Sequence, residues 1–277
     1  NIVTIGIDIA KSVFQVHGVD DRGEAVLRKR LTRARFLDFM RSVPPCLVGM
    51  EACDSSNHWA REIGKLGHEV KLMPGQYVKP YVKRNKTDAA DAEAICEAVT
   101  RPTMRFVAVR TAENQAVLLQ HRSREILVKQ RTMLVNAVRG HMAEFGIVAP
   151  TGLPSVVKLK ALLTKHTGQD IPALAGEILE MLFAQIEALT EKIDALQKRI
   201  AQQHQTNEIS QRLASIPGIG PLTASAILAT VGDAGIFKSG REFASWLGLT
   251  PHEHSSGSKR RIGSISKRGD GYLRRLL

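Results

Sequence analysis

The sequence predicts an α/β domain built on a mixed sheet, followed by long helices with a coiled-coil pattern and then a smaller α-helical unit. Three observations carry this. Residues 2–31 read as three consecutive strands, after which helices and strands alternate; an apolar seam recurs at heptad spacing from Leu182 to Ile200; and a hairpin punctuated by Gly and Pro follows at residues 213–228.

Ile2 to Asp8 is a short, nearly continuous apolar strand, and Ser12 to Val19 alternates in the manner of a second. Asp20-Asp-Arg-Gly23 supplies a turn, and Glu24 to Leu31 a third strand. A helix over about Arg33–Ser42 is broken by Pro44-Pro45. Cys46 to Glu51 then forms a further apolar strand ending in an acid, and a helix over roughly Ser56–Leu66 leads to a strand from His68 to Met73. Asp8 and Glu51 thus close neighbouring buried strands, at the strand ends where α/β folds place their ligands.

Composition narrows the function. The 277 residues leave room for two modest domains. Lys and Arg number 39 against 27 Asp and Glu, a net charge of +12, which favours a polyanionic partner, most simply nucleic acid. No apolar run reaches membrane-spanning length, and the first residues lack the pattern of a secretory signal, so the chain reads as intracellular, in the cytoplasm. Cys46, Cys53 and Cys96 are odd in number and form no C-x-x-C pair, which favours reduced thiols over a disulfide framework or a zinc site. The chain starts without Met and stops within a helical pattern, so both ends read as trimmed.

Lys86-Thr-Asp-Ala-Ala-Asp91 places Asp88 and Asp91 three residues apart in the first turn of an Ala-rich helix, with Thr87 as N-cap. Capping and the helix dipole alone account for two acids there. With Asp8 and Glu51, however, they make four carboxylates able to converge. Hard divalent cations take oxygen ligands, and two Mg²⁺ ions held by shared carboxylates can activate a nucleophile and stabilise the leaving oxygen of a phosphodiester; Mn²⁺ satisfies the same donors. Lys11, Lys79, Lys83, Arg84 and Lys86 lie around these acids and suit a phosphate backbone.

From Thr111 to Phe145 the pattern is one long helix, with Leu119, Leu127, Leu134, Val138 and Phe145 on one side. Arg122, Arg124 and Arg131 contribute to a basic opposite side, either a solvated face or a contact with nucleic acid. After a loop over 146–154, the heptad seam Leu182, Ile186, Leu189, Ile193, Leu196 and Ile200 packs either on this helix or on a second copy of the chain, the second being favoured. Leu213 to Leu228 matches the hairpin of a helix-hairpin-helix, where Gly218 and Gly220 allow a tight turn and free N–H groups can bind phosphate. Residues 254–275 carry seven Lys or Arg, among them Lys259, Arg260, Arg261, Lys267 and Arg268, against the single acid Asp270. Read alone, this is a flexible phosphate-contacting tail.

Gly6-Ile-Asp-Ile-Ala-Lys11, Glu51 after its apolar strand, and Lys86-Thr-Asp-Ala-Ala-Asp91 resemble the D-E-D-D signature of the RuvC-like domain of IS110-family transposases. Ile216-Pro-Gly-Ile-Gly220, Phe243-Ala-Ser-Trp-Leu-Gly-Leu-Thr-Pro251, Ser256-Gly257 and Ile265-Ser-Lys-Arg-Gly269 resemble the family's second, transposase domain in order and spacing. The resemblance implies an RNase H/RuvC-like fold for residues 1–105, long linking and oligomerising helices for 106–205, and a helix-hairpin-helix transposase domain for 206–277. It implies metal binding by Asp8, Glu51, Asp88 and Asp91, and a nucleophilic serine at Ser256, with Ser255 the rival one residue away. It further implies donor and target DNA chosen through a structured noncoding RNA, a homo-oligomer (dimer or tetramer) in which one subunit's serine completes another's acidic site, and work at the bacterial nucleoid.

The expected function is therefore a DNA transposase or site-specific recombinase of an insertion sequence. The alternative is a junction-resolving endonuclease in which the four acids hydrolyse phosphodiesters with Mg²⁺ alone. A third reading is a noncatalytic nucleic-acid-binding protein whose acids merely cap helices and end strands.

Overall fold

Strand β1 (Thr4–Ile9) pairs antiparallel with β2 (Val13–Val19), and β2 antiparallel with β3 (Ala25–Thr32). The β2–β3 turn is closed by Asp20, whose carboxylate accepts from the N–H groups of Arg22 and Glu24 at 3.0 and 2.9 Å, and by Gly23 at φ 82°. Helix α1 (Arg33–Ser42) ends before the two prolines and leads to β4 (Leu47–Glu51), parallel to β1. Helix α2 (Ser56–Gly64), β5 (Glu69–Met73, parallel to β4), the short α3 (Gly75–Val78) and α4 (Asp88–Val99) follow. The result is a five-stranded mixed sheet, as the strand pattern predicts, with its strands in the order β3-β2-β1-β4-β5. This computed structural model describes residues 1–83, 87–150, 152, 154–257 and 259–277, and divides into units 1–115 and 116–277.

One face of the sheet carries α1 and α2 over a core of Ile5, Ile7, Phe14, Val16, Phe36, Met40, Trp59 and Ile63. Phe14, Phe36 and Trp59 meet edge to face with centroids 4.7–5.4 Å apart. The other face carries α4, which comes down onto two glycines. A Cβ at Gly6 would fall on the Ala92 carbonyl oxygen and the Cys96 nitrogen, and one at Gly49 would lie 2.8 Å from the Val99 Cβ. Both positions therefore need Gly for close approach, whatever their backbone angles.

In the second unit, α5 (Ala112–Ala143, nearly all within this unit), α6 (Pro154–His166) and α7 (Ala173–Gln205) share a core of Val135, Val138, Met142, Leu159, Leu163, Leu179, Phe183 and Ile186. Helix α6 has no counterpart in the sequence reading; Leu159 and Leu163, four apart, are buried. The heptad seam packs on α5 of the same chain, with Ile186, Ile193 and Ile200 buried, rather than being left free for another copy. Gln120, Arg124 and Arg131 of α5 bond to the Leu196 carbonyl, Gln197 and Thr190 of α7. Leu119, placed by the sequence on the packed side of α5, instead lies outward at 66 % exposure, in line with Ile126 and Met133 at steps of seven.

Helices α8 (Glu208–Ala214) and α9 (Pro221–Val231) flank the predicted hairpin, and α10 (Gly240–Leu247), β6 (Pro251–Glu253), β7 (Ile262–Ile265) and α11 (Gly271–Leu276) complete the unit. Residues 251–277 are thus an antiparallel strand pair and a docked helix, not a featureless tail. Asp270 caps α11 by accepting from Tyr272 and Leu273 N–H groups at 2.8 and 3.0 Å, and Leu273 is fully buried against Ala226, Ile227, Val231 and Leu247. His121 of α5 is also fully buried, its Nδ1 3.0 Å from the Tyr272 hydroxyl and its Nε2 3.1 Å from Ser225 Oγ. Burial, helped by Arg124, pushes its pKa down to about 4.

Candidate metal centre and nucleic-acid-binding residues

Thr87 caps α4 as its sequence requires, accepting from the Ala90 N–H at 3.2 Å, and so fixes the first turn in which Asp88 and Asp91 sit. The Gly6 contact sets this turn against the end of β1. Asp8, Asp88 and Asp91 can each present a carboxylate oxygen within 4.8 Å of the other two. Asp8 is half-buried, and its pKa is raised to about 6, first by burial and then by the charges of Asp91, Asp88 and Glu51.

Glu51 stands outside that 4.8 Å group but beside it. The parallel register of β1 and β4 ends with Ile7 opposite Met50, so Asp8 and Glu51 leave adjacent strand ends on the face that α4 covers. Its carboxylate lies against Gly75 at the start of α3, where a Cβ would come 2.7 Å from the carboxyl carbon. The sequence reading did not pick out this seat; the signal was Pro74-Gly75 directly after a strand.

The residues fit a divalent metal. Their donors are all hard carboxylate oxygens, Asp8 is raised first by burial and then by its acidic neighbours, and none of the four acids is in an ion pair among the described residues. When bound, such an ion supplies Lewis acidity at a phosphoryl oxygen.

The basic residues are less uniform. Lys83 is paired with Glu93 of α4 at 2.8 Å, and Lys11 is exposed. Arg84 and Lys86 lie outside the described residues. Arg122 faces solvent, whereas Arg124 and Arg131 are drawn inward to α7. Gly218, at φ 90°, and Gly220, the N-cap of α9, are exposed in the turn between α8 and α9. Lys259, Arg260, Arg261, Lys267 and Arg268 are all exposed, Arg260 lying 3.6 Å from Glu253.

The two candidate serines differ in their bonding. Ser255 Oγ donates to Glu253 at 2.8 Å and accepts from the Arg261 N–H at 3.2 Å. Ser256 sits in a tight turn, its N–H bonded to the Lys259 carbonyl and its own carbonyl to the Lys259 N–H, and its hydroxyl makes no hydrogen bond among the described residues. His252 and His254 stack with centroids 6.0 Å apart at the start of this segment. Cys46, Cys53 and Cys96 are free thiols, and among the described residues no helix is long and apolar enough to cross a membrane.

Comparison with known proteins agrees with both halves of the motif. A DEDD-type family model described as "Transposase" matches residues 5–147, and the "Transposase IS116/IS110/IS902 family" matches residues 210–277. A probable family 20 transposase of Pseudomonas aeruginosa is 50% identical over 278 residues, covering 100% of this chain and 82% of its own length. The transposases for insertion sequence elements IS1328 of Yersinia enterocolitica and IS1111A of Coxiella burnetii are 40% and 38% identical, with all of this chain and 82% and 76% of theirs covered. The DEDD domain implies an RNase H/RuvC-like fold for the mixed sheet and a divalent metal site at its acids. Sheet order, acidic cluster and matched family agree: the chain belongs to the IS116/IS110/IS902 family and is a DNA transposase of an insertion sequence.

Proposed function

We propose that the chain cuts and rejoins DNA with two sets of groups: Asp8, Glu51, Asp88 and Asp91, which hold Mg²⁺, and Ser256, the nucleophile. The observation that supports this most is the approach of Asp8, Asp88 and Asp91 within 4.8 Å, on three positions that the sequence separates by up to 83 residues. In the serine step, Ser256 Oγ bonds to phosphorus while the bond from phosphorus to the leaving deoxyribose oxygen breaks. That oxygen takes the electron pair and a proton, and the serine proton passes to a neighbouring base. The hydroxyl of Ser256, which has no hydrogen bond among the described residues, favours it over Ser255, whose hydroxyl already serves Glu253 and Arg261. Exposed Lys259, Arg260 and Arg261 supply charge for the phosphorane.

The turn between α8 and α9 is assigned to phosphate binding as a helix-hairpin-helix, and the surplus positive charge to DNA together with a structured guide RNA. The assembly is read as a homo-oligomer.

Asp88→Asn is expected to abolish recombination without loss of fold, and Ser256→Ala to remove the protein–DNA adduct on a denaturing gel. Full recombination by Asp88→Asn sinks the metal reading. An adduct that persists in Ser256→Ala but vanishes in Ser255→Ala moves the nucleophile by one residue, and wild-type cleavage with no adduct at all favours hydrolysis by the acids alone.

A further inference from the structure

A groove of about 480 Å³ opens between the N-terminal turns of α4 and the outer strands β2 and β3, lined by Gln15, His17, Arg28 and Arg30 on one side and Thr87 and Glu93 on the other. The register places its polar groups in order. Asp8 is opposite Gln15, and Gln15 opposite Arg30; in the neighbouring row Gly6 is opposite His17, and His17 opposite Arg28. Directly opposed residues share a face of the sheet. Gly6 fixes which face, because α4 rests on it. A single cross-strand row therefore runs from the acidic centre at Asp8 through Gln15 to Arg30. Two strand spacings, about 10 Å, separate its ends.

The cationic and titratable groups in and beside this groove differ in availability. Lys83 is already paired with Glu93. His17 is buried, and burial holds it below its ordinary pKa, with Glu93 opposing and Arg28 and Lys83 adding to the effect, so its charged form is disfavoured there. Arg28 and Arg30 are exposed and make no ion pair among the described residues. Their neighbour Lys29 also borders the groove, but its charged end turns to the opposite face, with Nζ 4.9 Å over the Phe39 ring. On the open side, β3 is an edge strand of the sheet.

A cluster of carboxylates repels the polyanion that it has to cut, so the backbone needs cations close to the cluster but outside it. We propose that Arg28 and Arg30, with Gln15 between them and Asp8, form a phosphate track that seats the nucleic-acid strand leading into the acidic centre. The track deepens the metal-dependent reading above and rests on it for the direction in which the strand runs. Guanidinium groups suit the task because their planar fork grips a phosphate through two N–H donors and keeps its charge at any working pH. The alternation of side chains along β3 turns two of its three consecutive cations toward the groove and the third away.

The test is nucleic-acid binding by the full chain in chelator, over about 50 to 200 mM salt, with fluorescent single-stranded DNA, duplex DNA and single-stranded RNA of one sequence. The double variant Arg28→Gln/Arg30→Gln is expected to flatten the dependence of log K on log salt by about 0.7 per lost contact on a single strand, or about 0.9 on a duplex. Lys29→Gln should keep the wild-type slope, and the probe that loses slope identifies the strand the track holds. The single variants, each taking part of the change, serve if the double variant does not fold. An unchanged slope for the arginine variants on every probe, or an equal change in Lys29→Gln, overturns the track. Because binding in chelator involves no cleavage, that failure would leave the metal-dependent reading standing. Absence of Mg²⁺-dependent cleavage by the wild type would remove that reading without touching the slopes.

Discussion

Gly6 of β1 lies so close beneath Cys96 of α4 that a Cβ added to it would stand 2.7 Å from the Cys96 Cβ and collide with main chain on the same helix. The helix that carries Asp88 and Asp91 is thus held against the strand that carries Asp8 by backbone contact. Gly6→Ala is expected to cost about 1–3 kcal/mol of stability through overpacking and to weaken Mn²⁺ binding, because α4 must lift. Denaturant unfolding and calorimetric titration check both. Gly64→Ala, at a site with open space around it, should instead be neutral or stabilise by up to about 1 kcal/mol with no change in metal affinity.

In the metal-free protein, the contribution of Asp8 to stability should fall as pH rises. Asp8 titrates at about 6 in the fold against 3.8 for the free side chain, so between these values the folded state holds a proton that the unfolded state releases. Stability contributed by that proton is present below about 4 and lost on passing 6. In chelator, the melting temperature of wild type relative to Asp8→Asn should fall across this window, with the variant melting higher than wild type above about pH 7. A wild-type minus Asp8→Asn difference that does not change with pH would refute the assignment.

His121 acts in the opposite direction. Its folded value of about 4 lies below the ordinary 6.5, so the unfolded chain takes up a proton first as pH falls. Stability is full above 6.5, declines toward 4 and levels off below it, for a loss on the order of 3 kcal/mol. His121→Leu should remove this acid limb of the urea midpoint while lowering stability at neutral pH, since Tyr272 and Ser225 lose their buried partner.

Much of the first unit was legible because its signals are local. The strand–turn–strand opening, the Pro44-Pro45 break and the Thr87 cap each specify their own element, and α1 occupies the very span that the pattern assigned. The acids could be picked out for the same reason, as strand ends and a first helical turn. Seats made by distant residues could not: nothing beside Glu51 in sequence announces Gly75, and nothing beside Gly6 announces Cys96. In the second unit the heptad pattern announced an apolar stripe but not its partner. Any second stripe of matching length satisfies such a pattern, and here α5 supplies it within the chain. Helix α6 escaped notice because its two buried leucines are too few to establish a period.

The seat of Glu51 gives position 51 a requirement for reach as well as for sign. With its carboxyl group resting on Gly75, the side chain spans the full gap between the tip of β4 and the start of α3. An aspartate there would keep the charge yet stop one methylene short, so swapping one acid for the other at this position is a change of geometry and not a conservative exchange.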